Sequence, residues 1–163
     1  MSAQVSEGDL FRFFRTMRQE QQSARWAWSG KDRRRVLAKR AERQVKARLQ
    51  GMGYRVSHTA NNERWDLWCE GVRVEVKAST WGGRYQANLR GNDADVLILA
   101  CVNGKVSFFV IPWAELADRK TVEVWSENPE RYQGQWARWF EAWGVVGELV
   151  SNPPPNPWQM PLL

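Results

Sequence analysis

Trp65-Asp66-Leu67-Trp68-Cys69-Glu70-Gly71-Val72-Arg73-Val74-Glu75-Val76-Lys77 reads as a strand, a two-residue turn and a second strand. With Glu70-Gly71 as the turn, Cys69 falls opposite Val72, Leu67 opposite Val74 and Asp66 opposite Glu75. Side chains alternate across a sheet, so Leu67, Cys69, Val72, Val74 and Val76 form one apolar face and Asp66, Glu75 and Lys77 the other. A one-residue slip would expose the apolar set, which favours this register. Two carboxylates facing each other repel. A divalent cation between them removes the conflict, because hard ions such as Mg²⁺ bind through carboxylate oxygens.

Working outward, a helix is expected from Lys31 to Gln50, closed by Gly51 and Gly53. Its apolar stripe is Leu37, Ala38, Ala41, Val45 and Leu49, and Glu42 lies inside it. A carboxylate facing the core needs a partner. Either a basic neighbour such as Arg43 or Lys46 satisfies it, or Glu42 approaches the metal site directly or through water. An earlier helix spans about Gly8 to Trp28, with Arg12, Arg15, Arg18 and Arg25 on much of its surface.

Further along, Tyr54–Thr59 is expected as a strand, and residues 79–94 as a loop containing Gly82-Gly83 and Gly91. Asp95–Cys101 and Lys105–Ile111 form a second hairpin about Asn103-Gly104. Its first strand, apolar throughout, is expected to be covered on both faces. Trp113–Asp118 suggests a short helix and Thr121–Trp125 an edge strand. Asn128-Pro129 marks the start of a last helix lined by Tyr132, Trp136, Trp139, Phe140 and Trp143. The expected organisation is a basic helix over 1–30, one domain over 31–150 and an extended Pro-rich tail over 151–163.

Composition points to a partner. The 163 residues carry a net charge of +6, and residues 1–55 hold 14 Lys/Arg against 5 Asp/Glu. Eighteen of the 24 basic residues are Arg, whose planar fork matches phosphate oxygens. A basic half beside a more acidic one points to nucleic acid. One His and two Cys exclude an ordinary four-ligand zinc site, leaving His58 as a structural or surface residue. Cys69 and Cys101 read as buried thiols of a reducing compartment. No stretch approaches a membrane span and the start is polar, so a soluble cytoplasmic protein is expected, with no membrane partner and no small-molecule cofactor.

A helical Glu, then strands bearing Asp and Glu-Val-Lys, resembles the PD-(D/E)xK, restriction-endonuclease-like nuclease superfamily, over roughly Arg33 to Pro112. In look it is nearest to intron-associated homing endonucleases and Holliday junction resolvase-like members. Trp65 stands where the motif name has Pro. The resemblance implies an α/β fold with a mixed central sheet flanked by helices, here with the extra basic N-terminal helix and the aromatic C-terminal helix. It implies that Asp66 and Glu75, with Val76 between Glu75 and Lys77, hold Mg²⁺, Mn²⁺ being able to substitute. Lys77 then orients or activates the attacking water, Glu42 matches the first-helix acidic residue, and Gln86 is a further candidate. The implied activity is Mg²⁺-dependent DNA endonuclease chemistry. Phosphate contacts are expected from Arg33, Arg34, Arg35, Arg40, Arg84 and Arg90. Cutting both strands with one site per chain implies a homodimer or higher homo-oligomer. Three alternatives stay open: a Holliday junction or other structure-specific resolvase, a non-catalytic nucleic-acid-binding protein on the same fold, and a structural subunit using its eleven tryptophans.

Overall fold

The structure, a computed structural model, describes residues 15–16, 30–60, 64–89, 94–116 and 118–155. Most of the expected first helix, Arg90 and the end of the tail lie outside the described residues. Helix α1 spans Gly30–Gly51, with Asp32 in its first turn and Arg48 in its last, both signs suited to the helix dipole. Gly53 closes it at φ +95, a left-handed conformation that suits glycine. The N–H of Tyr54 donates to the Leu49 carbonyl (3.2 Å) and that of Gly53 to Gln50 (3.0 Å), the paired bonds of a Schellman cap.

Among the described residues seven strands follow: β1 Val56–His58, β2 Leu67–Cys69, β3 Val72–Thr80, β4 Tyr85–Asn88, β5 Val96–Asn103, β6 Lys105–Pro112 and β7 Thr121–Val124. The main sheet has the order β1-β2-β3-β5-β6, while β4 and β7 make a separate two-stranded ribbon. Only β3 and β5 run parallel; the other pairs are antiparallel. Glu70 and Gly71 sit at φ +48 and +87, both left-handed, as a two-residue turn requires. Cys69 pairs with Val72 and Leu67 with Val74. The backbone N–H and the guanidinium of Arg55 both donate to the Glu70 carboxylate, bracing that turn.

Strand β5 separates two cores. Val96, Ile98 and Ala100 face the layer formed with Val74, Val76, Leu67 and Cys69, under Ala41, Val45 and Leu49 of α1. Leu97, Leu99 and Cys101 face the other, with Tyr85, Ala87, Val122 and Val124 of the ribbon. Both cysteines are buried free thiols; burial, then the nearby Glu70 charge, pushes Cys69 up to about 11.

Two expectations are corrected. Residues 79–94 are not wholly loop, since β4 lies within them and pairs with β7. The aromatic segment is not a helix. Short 3-10 turns occupy Pro129–Arg131 and Ala137–Trp139, and the final helix, α2, is Gly144–Ser151, past the aromatic residues. The reason is packing. Trp136 fills the ribbon-side core and Trp143 the α1-side core, while Trp139 touches both, so this stretch must cross between layers. Phe140 bridges to Phe109 at the main sheet, and their rings meet edge to face at 5.5 Å. Among the described residues no helix is long and apolar enough to cross a membrane.

Candidate active site

The acidic residues gather where β2 parts from β3. Leu67 stands opposite Val74, and the N–H of Asp66 also reaches the Val74 carbonyl at 2.9 Å. Two successive residues of one strand therefore address a single residue of the other, as in a β-bulge. The expected direct pairing of Asp66 with Glu75 is thus replaced by a kink. The Asp66 carboxylate takes the place a continuing β2 would have filled: its Oδ2 accepts the N–H of Val76 at 2.8 Å. Thr59 ties the other side, its N–H donating to the Asp66 carbonyl at 3.1 Å.

Val76 separates Glu75 from Lys77. In a strand the N–H and C=O of one residue point to the same neighbour, so the Val76 carbonyl opens onto the gap that holds the Asp66 carboxylate. Glu75 and Lys77 pair in register with Leu97 and Leu99, which places them on the ribbon side of the sheet. Glu75 is 4% exposed, and Lys77 Nζ lies 2.6 Å from its Oε1. The Lys77 side chain is 38% exposed, so a cation stands at the rim over a buried carboxylate.

Glu42 is buried, at 6% exposure, as its place in the stripe predicts. Its partners are Lys39 at 3.3 Å and His58 Nδ1 at 3.9 Å, not Arg43 or Lys46. Burial raises its pKa, and the negative charge of Asp66 raises it further; Lys39 and His58 act in the opposite sense. Because α1 covers the Val74–Val76 face, Glu42 reaches Asp66 from the side of the sheet opposite Glu75. Sequence reasoning did not find His58 beside it. The signal was the Val56–His58 strand, whose pairing with β2 sets His58 opposite Leu67, next to Asp66.

Among the described residues no three His, Cys, Asp or Glu side chains form a ready metal cluster. The oxygens around the break are instead the Asp66 carboxylate and the Val76 carbonyl, with the buried Glu75 carboxylate one residue earlier on β3, on the ribbon side. All are hard oxygen donors, and Mg²⁺ characteristically binds one or two carboxylates and keeps several waters. The donor set fits that ion.

The other candidate residues are dispersed. Arg33, Arg34 and Arg35 are exposed on the first turns of α1, and Arg40 is partly buried further along it. Gln86 lies on β4; its amide accepts from Arg84 (3.1 and 3.2 Å) and donates to Asn88 (3.3 Å). Its backbone N–H donates to Ser79 Oγ at 2.9 Å, joining β4 to the strand that carries Glu75 and Lys77.

No protein-family model matches the chain, and no curated protein matches it in sequence. Among solved structures it is similar to a bacterial homing endonuclease, I-Ssp6803I, with a TM-score of 0.61 and 22% identity over 72% of this chain and 93% of that one. This protein therefore has a nuclease-like α/β fold, with a five-stranded mixed sheet at its centre.

Proposed function

We propose that the protein is a Mg²⁺-dependent DNA endonuclease of the PD-(D/E)xK type, with Asp66 and Glu75 as metal ligands and Lys77 beside them. The observation that carries this reading is the Asp66 carboxylate bonded to the N–H of Val76, between Glu75 and Lys77. That bond brings the Asp66 side chain to the main chain between an acid and a base, at a break in the sheet. The homing endonuclease fold and the net charge of +6 support DNA as the substrate.

The ion would be held by Asp66, Glu75 and the Val76 carbonyl. When bound, it supplies Lewis acidity at a phosphate oxygen and neutralises charge. The protein's own groups do the rest. Lys77 presents N–H donors to the attacking water and a positive charge to the phosphate as negative charge builds there. Asp66, bonded on one oxygen by the Val76 N–H, would offer its other oxygen to the ion. Glu42, held by Lys39 and His58, adds a second negative charge near Asp66. Gln86 is placed with the ribbon instead of the catalytic group, since its amide is bonded along β4. The arginines of α1 would contact phosphates. With one such centre per chain, cutting both strands requires two copies, so a homodimer or larger homo-oligomer is part of the proposal.

The test is a substrate panel of supercoiled plasmid, linear duplex, flap and four-way junction, with Mg²⁺ or with chelator. Cutting with Mg²⁺ alone supports the reading, and preference for the junction would move it to a resolvase. Binding without cutting on every substrate contradicts it in favour of a non-catalytic binder.

A further inference from the structure

We propose that the outer face of the β4–β7 ribbon reads base edges in the major groove of duplex DNA, next to the phosphate that is cut. This rests on the nuclease reading above and adds to it the part of the chain that selects sequence.

The ribbon has two unlike faces. Tyr85, Ala87, Val122 and Val124 point into the core, so the register of β4 with β7 sends Gln86, Asn88, Thr121 and Glu123 the other way. Arg84 and Trp125 extend that outward row together at one end of the ribbon, beyond the Tyr85–Val124 pair. The row is stocked with side chains that carry a hydrogen-bond code. Gln and Asn match the adenine edge bidentately, Arg matches guanine, and an apolar group meets the thymine methyl. Trp125 is 61% exposed, the most exposed large apolar side chain among the described residues.

These groups now satisfy one another. Arg84 donates to Gln86, Gln86 to Asn88 and the Trp125 indole N–H to Glu123, while the Arg84 guanidinium lies 5.1 Å from the Trp125 ring centroid. Such bonds can be exchanged for bonds to base edges without stranding a polar group, and the arrangement holds each side chain near its reading position. A two-stranded ribbon is one of the two elements the major groove admits.

Position makes DNA the occupant. The Gln86 N–H is bonded to Ser79, two residues beyond Lys77 on β3. At about 3.3 Å per residue that is roughly 7 Å along the strand. A duplex whose phosphate sat at Asp66, Glu75 and Lys77 would therefore have the ribbon within a few base pairs of it.

The test selects from a randomised duplex pool with the full chain in Ca²⁺, which permits binding without relying on cutting, and compares wild type with Gln86→Ala/Asn88→Ala. Wild type is expected to enrich defined bases, and the double variant to lose on the order of 5- to 150-fold discrimination at one or two base pairs. Its affinity for an unrelated duplex and the salt dependence of that affinity should stay unchanged, which a folding defect would not allow. Enrichment of the same bases by the variant overturns the proposal. So does wild-type binding with no base preference, which leaves the nuclease reading intact. A variant that changes oligomeric mass in sedimentation overturns it too, by assigning the face to contact between copies. Failure of wild type to bind DNA at all removes both readings.

Discussion

The Asp66 carboxylate accepts the main-chain N–H of Val76 at 2.8 Å, across the gap where β2 has already left β3. A side chain there replaces a missing rung of the ladder, so one group serves both the fold and the candidate chemistry. The two contributions can be separated. Asp66→Asn keeps an acceptor for Val76 and loses the charge; Asp66→Ala loses both. The asparagine variant should unfold close to wild type yet cut no DNA. The alanine variant should lose a further ~1–3 kcal/mol, the range for stranding a buried donor, measured by denaturant unfolding.

Glu42 should show a stability–activity exchange. Its pKa is raised from 4.5 by burial and by the Asp66 charge, so the folded protein holds this proton more tightly than the unfolded chain does. No penalty exists below the unfolded value; it sets in as pH rises past 4.5 and is complete above the raised folded value. Glu42→Gln should therefore raise the unfolding midpoint at pH 7, with the gain shrinking as pH falls towards 4.5. Cutting by the same variant should drop, since Asp66 loses its charged neighbour. A midpoint that fell at pH 7 would show that the Lys39 pair outweighs burial.

Asp95 fixes the register of β3 against β5. Its carboxylate accepts the Arg73 backbone N–H at 2.8 Å and the guanidinium at 2.8 and 3.1 Å, with both side chains largely enclosed. Asp95→Ala removes three hydrogen bonds to Arg73 from a largely enclosed ion pair and should cost about 3–5 kcal/mol in chemical unfolding.

Phosphate binding by α1 predicts a salt signature. Replacing Arg33, Arg34 and Arg35 with Ala should weaken binding to every duplex alike. It should also flatten the plot of log affinity against log salt by about 0.9 for each phosphate that is no longer neutralised. An unchanged slope would place the DNA elsewhere.

The sequence carried the hairpin at the site because its apolar alternation admits one register, and Glu70-Gly71 supports the required left-handed pair. Glu42 was legible for the same kind of reason: a charge inside an apolar stripe is conspicuous. The bulge at Asp66 was not. It depends on Thr59 and Val74 engaging the carbonyl and the N–H of the same residue, which no local pattern encodes. Strand β4 was hidden because it is four residues long, follows a Gly pair, and pairs with a strand more than thirty residues later. The tryptophans misled in the opposite direction. Their helical spacing reflects a chain that visits two cores in turn.

The most direct test of the metal centre is electron paramagnetic resonance of Mn²⁺ added to the DNA complex, comparing wild type with Asp66→Asn and Glu75→Gln. Wild type should hold Mn²⁺ that Mg²⁺ displaces, and each variant should lose that bound fraction while still retaining DNA. Equal Mn²⁺ binding by all three proteins would contradict a cation held between Asp66 and Glu75.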